Sequence, residues 1–517
     1  MVSSPRRSTP ARRRRPAPRG PAEAAVGAPG TALAPDAPHP ASTAAASAAA
    51  PSAAPSTASA AAAHPLLRAL AAVTIVALAL RIPLQQGLEV GHVLAVVLAP
   101  LWIPRLARYR GAVVVAGAIV LAVGAGLWLT EASRGDHVVS RTETTYVTVM
   151  VLGLLAGIGV LLWARTLMRD ATVAVWFGVG MLAGVNPSSS LFSSNPWKFG
   201  LTVPVTVLVL ALAWRWGSRR AAAVALVVLV VLAGLNDARS ELAILLLVLL
   251  VVLWEMRPSM PGRRGSVALT LLGLGGLALV VSQAGQALIL EGYLGEATRQ
   301  RTEAQLDESG SVITGGRPEV GAFVALLRAH PWGFGSGTFP TSTELGIAKT
   351  GMAALGYDPD NGYVEDYLFG EGFELHSLVG DLWTRFGLIG IALSVVILVV
   401  VLTGAARSVA HRAGAAVLVY VAVKTLWNLP FSPLYSSIPL LVLAVGLCLI
   451  PRAADPATAR GEPSGAHPHP HPPPHPTSTE PAWTARRLTT PRPPRPPRPP
   501  RPPRPPRPPR PDAAGAS

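Results

Sequence analysis

Apolar residues in this chain gather into runs of about 15 to 20 positions separated by short polar stretches, the spacing expected of helices that cross a bilayer. Twelve such runs are predicted as spans, at roughly 65–82, 88–104, 111–129, 146–163, 172–186, 199–213, 220–235, 240–254, 266–283, 378–402, 413–427 and 436–450. The pattern predicts an all-α, polytopic integral membrane protein with about twelve transmembrane helices. One interval breaks the rhythm. Residues 284–377, between the ninth and tenth runs, form a stretch of more than 90 positions rich in acids, glycines and aromatics, with amphipathic pieces such as "EVGAFVALLRAH". A connection that long is uncommon unless it has a function, and function concentrates on such segments.

Composition adds the ends. Of 517 residues, 50% are hydrophobic and 14% charged, the balance of a membrane protein. The formal net charge of +16 would suggest nucleic acid if it lay on a folded surface. It lies in the tails instead. Residues 1–63 hold seven Arg against two acids, and residues 452–517 hold eleven Arg against four. Three parts follow: a disordered Ala/Pro/Arg-rich tail over 1–63, a membrane domain over 64–451, and a disordered His/Pro and Arg-Pro-Pro tail over 452–517. The length of the first tail argues against a cleaved signal peptide. In the last tail, seven Arg at every third position would line one edge of a polyproline II rod. That rod reads either as a lipid-headgroup or partner ligand or as a solvated repeat. The nearby His467, His469, His471 and His475 read as solvated more readily than as a metal site. The single cysteine, Cys448, lies in an apolar run and is expected to pack there, with no disulfide framework.

Charge also predicts orientation. The short connections "RLARYR", "ARTLMR", "WRWGSRR", "EMRPSMPGRRG" and "ARSVAHR" hold thirteen Lys and Arg, while the alternate short connections hold four. By the positive-inside rule the basic set is cytoplasmic, both termini are cytoplasmic, and the 284–377 loop is extracytoplasmic in the cell membrane.

Three basic groups are then expected on the outer face. Arg239 stands in "LNDARSELAILL", at the start of the eighth span. Arg317 stands in "TGGRPEVGAFVALLRAHPWGFGSGTF", within the large loop. His376 begins "HSLVGDLWTRFGLIGIAL", where the loop re-enters the membrane. Taken singly, Arg239 reads equally as a snorkelling anchor, Arg317 as an exposed loop cation and His376 as a packing or helix-cap histidine. "WGFGSGTF" has the glycines of a phosphate-cradling loop but lacks the following Lys-Ser/Thr. Its glycines are expected to allow a tight turn against the membrane helices. The acids of "YDPDNGYVEDY" (Asp358, Asp360, Glu365, Asp366) read as a solvated turn.

Together these stretches resemble the O-antigen ligase and O-antigen polymerase family of polysaccharide membrane enzymes, over roughly residues 230–405. "NDARSELA" is similar to the family's Ser/Ala-Arg-Ser/Gly segment at a helix start. The loop stretch is similar to its Gly-Arg segment and following "P-x-G-x-G-x-G-x-F" turn, here Pro331 to Phe339. "HSLVGDLWTRFGLIGIAL" is similar to its histidine, short helix and "G-L-x-G". Two positions depart from the family: Ser377 stands where Asn is common, and Arg385 where Glu is common. Asp381, one turn before Arg385, is expected to pair with it and to offer an acid nearby.

The resemblance implies transfer of a glycan from a polyprenyl pyrophosphate carrier to a hydroxyl of a glycan, lipid or protein acceptor outside the cytoplasm. No cofactor, metal or nucleic acid is expected, and membrane lipids are the surroundings. The leaving pyrophosphate needs charge neutralisation more than a strong acid, which suits Arg317 and Arg239. Lys424, near the outer end of the eleventh span, is a further candidate for phosphate contact or a snorkelling anchor. His376 is placed to take the acceptor proton. Asp381 and Arg385 are candidates for acceptor or sugar contacts. Two other classes compete. A lipid-linked glycan transporter or flippase would show repeated halves with polar groups at mid-membrane. A polyprenyl-monophosphate-sugar glycosyltransferase would carry acids in a long first outer loop, where this chain has only "PLQQGLEVG".

Overall fold

The computed structural model describes residues 57–257, 266–292, 296–309, 316–370, 372–412 and 415–452. The readings of both tails, apart from 57–63 and Arg452, lie outside those residues. Among these residues the fold is mostly helical, 77%, in keeping with the all-α pattern. In chain order the first helices are α1 (Thr57–Leu80), α2 (Val90–Val97), α3 (Ala99–Leu106), α4 (Ala112–Ala132), α5 (Arg141–Ala164) and α6 (Asp170–Ala183). The short α7 (Ser190–Ser194) precedes α8 (Thr202–Arg215), α9 (Arg219–Leu235), α10 (Arg239–Met256) and α11 (Val267–Leu290). The long connection holds α12 (Glu296–Ser309), α13 (Glu319–Ala329) and α14 (Ser342–Ala353), and the chain closes with α15 (Leu378–Ala410), α16 (Ala416–Phe431) and α17 (Leu434–Cys448).

Among the described residues, the apolar runs lie mostly in helix. Five helical stretches are long and apolar enough to cross a membrane: Ala112–Gly135, Arg141–Ala164, Trp197–Arg215, Val267–Ala287 and Leu378–Ala410. Their outward faces are apolar too. Val114, Leu121 and Trp128 on α4 and Leu269, Leu272 and Leu279 on α11 are all exposed. In water such faces would associate; in lipid they are solvated, so the protein is membrane-embedded.

Several helix starts are fixed by serine. The Oγ atoms of Ser140, Ser218, Ser266 and Ser377 each accept a backbone N–H from three residues on, capping α5, α9, α11 and α15. Small residues then let helices approach. A Cβ on Gly180 of α6 would fall 2.6 Å from the Val76 carbonyl of α1. One on Gly404 of α15 would fall 2.5 Å from the carbonyl of Cys448, which is buried as packing requires.

Two predicted runs are interrupted. The run at 88–104 is split into α2 and α3 at Leu98, with Pro100 in the first turn of α3. Proline has no N–H to continue the ladder and suits a helix start. The tenth run breaks at Gly387, whose φ of 60° and ψ of −145° leave the helical region. Its first piece, 378–386, is a short helix, and the long apolar piece begins after it.

The long connection has its own core. Ala322 and Leu326 of α13, Ala348 and Met352 of α14, Phe334 and Phe373 cluster with Trp383 from the start of α15. α13 and α14 meet closely at Gly321 and Gly351, where a Cβ on Gly321 would lie 2.2 Å from the Gly351 carbonyl oxygen.

Candidate functional site

The glycine-rich turn from Pro331 to Phe339 seats this small core on the helices. Phe334 and Gly335 both donate their N–H to the Thr384 carbonyl, at 2.8 and 3.0 Å, and Ser140 donates to the Gly337 carbonyl at 2.8 Å. Gly335 has a φ of 115°, and a Cβ there would meet Thr130 at 2.4 Å. A Cβ on Gly337 would fall 1.9 Å from Thr144 Oγ1. These glycines are required by close approach of backbone to α4 and α5.

Arg317 and His376, 59 positions apart in the sequence, come near enough for the guanidinium charge to act on the imidazole. His376 is the residue before the Ser377 cap and holds a φ of 49°. That left-handed conformation is strained for a side chain bearing Cβ, and such strain gathers at functional sites. Its Nδ1 lies 3.2 Å from the Glu374 carbonyl oxygen. A carbonyl can only accept, so Nδ1 carries the proton and Nε2 the lone pair. The ring stacks on Tyr367 with centroids 4.2 Å apart and planes at 19°. Burial pushes the imidazole pKa below its ordinary 6.5; Glu319 and Glu374 pull it upward, and the Arg317 guanidinium pushes it down. His376 is therefore mainly neutral at neutral pH and able to accept a proton.

Glu319, the first residue of α13, is buried. Its Oε1 accepts the Tyr363 hydroxyl at 2.6 Å, while Oε2 is buried without a hydrogen bond among the described residues. Burial, then Glu319, raises the pKa of Tyr363 and of Tyr367. The Tyr363 and Tyr367 rings are 4.9 Å apart, so Tyr363, Tyr367 and His376 form a continuous ladder. Tyr367 remains 52% exposed, which leaves the ladder open to a ligand. Nothing but the position of Glu319, two residues after Arg317, signalled it in the sequence. An acid in a first helical turn ordinarily reads as a partner for the helix dipole.

The other candidates have different surroundings. Asp381 does not pair directly with Arg385. Its Oδ1 accepts the Leu375 N–H at 2.7 Å and its Oδ2 the Leu434 N–H at 2.8 Å, tying the start of α15 to the start of α17. Arg385 instead binds Glu143 of α5 at 2.7 Å and reaches the Phe373 carbonyl at 3.4 Å. Arg239 lies 3.6 Å from Asp237 and donates to Thr302 of α12 at 3.3 Å, so its described contacts run to α12 and not to His376. Lys424 meets Glu241 of α10 at 2.8 Å, and the second Glu241 oxygen takes the Tyr420 hydroxyl. In the acidic turn, Lys349 bridges Asp360 and Glu365 while Asp358 caps the Asp360 N–H, so these acids serve the turn itself. Among the described residues, no set of three His, Cys, Asp or Glu side chains is grouped to hold a metal ion.

Against known proteins, the chain matches no family model, no curated protein and no solved structure.

Proposed function

We propose that the protein is a membrane glycosyltransferase of the O-antigen ligase or polymerase type. It would transfer a glycan from a polyprenyl pyrophosphate carrier to an acceptor hydroxyl on the outer face of a membrane crossed by about twelve helices. What supports this reading is a strained His376, kept neutral by burial and stacked on an exposed tyrosine, with the Arg317 charge acting on its imidazole. In the proposed reaction the acceptor oxygen bonds to the anomeric carbon as the carbon–oxygen bond to pyrophosphate breaks. The electron pair of that bond leaves with pyrophosphate, whose charge Arg317 meets with a planar fork. The acceptor proton passes to Nε2 of His376, the atom left with a lone pair by the Glu374 contact. Tyr367 offers a flat face for a sugar ring. Arg239 is kept as a second pyrophosphate contact from α10, reached if the donor extends toward α12. Lys424 is assigned to its ion pair with Glu241 in preference to phosphate.

A second reading, transport of a lipid-linked glycan, has one observation in its favour. Glu241, Tyr420 and Lys424 form a polar group between α10 and α16, and ionisable residues within membrane helices commonly mark a substrate or proton path. Removal of the protein from cells separates the two. The transferase reading predicts that a polyprenyl pyrophosphate glycan accumulates on the outer leaflet, whereas accumulation confined to the cytoplasmic leaflet favours transport. No accumulating lipid-linked glycan would contradict both.

A further inference from the structure

A carboxylate buried with one oxygen unsatisfied is costly, so a fold retains it where something offsets that penalty. Glu319 is such a group. It is 7% exposed, with Oε1 fixed by Tyr363 and Oε2 without a hydrogen bond among the described residues. Its anchor, Tyr363, touches Tyr367, and Tyr367 stacks on His376. The same carboxylate pulls the imidazole pKa upward, as Glu374 does, while Arg317 pushes it down and the Tyr367 ring covers one face. No ion pair joins Glu319 to the neutral ring, and Oε2 has no hydrogen bond among the described residues.

We propose that Glu319 is the positioning residue of His376: its buried carboxylate, anchored by Tyr363, stabilises the imidazolium formed when His376 takes a proton. This deepens the reading of His376 as the proton acceptor in glycan transfer, but the charge relation itself needs no substrate. Tyr363 serves by donating to Oε1, which orients the carboxylate. The tyrosine ladder fixes the ring against which the charge acts. Arg317 opposes the cation, so the two charges together hold His376 between a form that accepts a proton and one that releases it.

The test uses the full chain in lipid nanodiscs. The rate at which diethyl pyrocarbonate modifies His376 is followed by mass spectrometry between about pH 5 and pH 9, which gives the titration of this one histidine. In Glu319→Gln the midpoint should move to lower pH by roughly one unit, as expected on losing a nearby opposite charge. Glu319→Asp, which keeps the charge, should retain most of the original midpoint and guards against an effect of packing alone. An unchanged midpoint in Glu319→Gln, or an equal shift in Glu319→Asp, would overturn the proposal. The pH profile of glycan transfer separates this from the parent reading. A profile that moves with the His376 midpoint supports both. A midpoint that moves while transfer does not would leave the Glu319–His376 relation standing and remove His376 as the base.

Discussion

At the scale of single residues, the charges around the start of α15 divide into site and scaffold. The charges of Arg317 and Glu319 act on His376, whereas Asp381 is consumed by two backbone N–H groups. Asp381→Ala would orphan both donors, each costing about 1–3 kcal/mol. We expect a clear fall in the thermal midpoint of the detergent-purified protein, and an unchanged midpoint would show that the tie between α15 and α17 is dispensable. His376 also sets a pH dependence. Its pKa lies below 6.5, so the neutral base is present above that pKa and transfer should fall as pH drops through it, below pH 6.5. A transfer rate that rises on acidification would give the histidine the opposite role. The chemical residue types were legible in the sequence, but their partners were not. The spacing of Asp381 and Arg385 suggested a pair at one helical turn, yet Arg385 found Glu143, 242 positions away. Local spacing rules cannot see a contact that only tertiary folding creates.

Elements were more legible, because apolar runs of helical length state their own identity. The breaks within them were written in smaller signs. Pro100 lies just after the break at Leu98, and Gly387 bends α15 where the Trp332 carbonyl leaves 2.3 Å for any Cβ. The glycine turn is the element on which the site depends. Gly337→Ala would place a methyl 1.9 Å from Thr144 Oγ1 and 2.7 Å from the Ser140 carbonyl, forcing the turn from α5. We expect folded protein to be largely lost by size-exclusion chromatography. Gly346→Ala is the contrasting case, since nothing lies within 4 Å of its Cβ position in α14. There, helix propensity should stabilise by up to about 1 kcal/mol. Equal yields and melting of the two variants would contradict the seating described for the turn.

At the scale of the whole molecule, the apolar outward faces agree with burial in lipid, while sidedness rests on the basic connections. Ala354→Cys, on the loop domain, should react with an impermeant thiol reagent in intact cells, and Trp216→Cys should react only after lysis. Cys448, being buried, contributes little background. The reverse labelling pattern would place the site on the cytoplasmic face and remove the lipid-linked donor from the account. Deleting residues 1–56 or 485–517 should leave transfer intact at equal protein level, with any effect seen in membrane association. Turnover abolished at unchanged protein level would show that a tail takes part in the reaction.

The most direct measurement is transfer by the purified full chain in nanodiscs, from a polyprenyl pyrophosphate glycan to a sugar acceptor. Arg317→Lys keeps the charge but loses the planar fork, and a large loss of transfer is predicted with folding preserved. His376→Ala should lower turnover by roughly 10²–10⁴-fold while sparing donor binding. Full activity in both the Arg317→Ala and His376→Ala proteins would contradict the account and leave the two residues as anchors at the membrane surface.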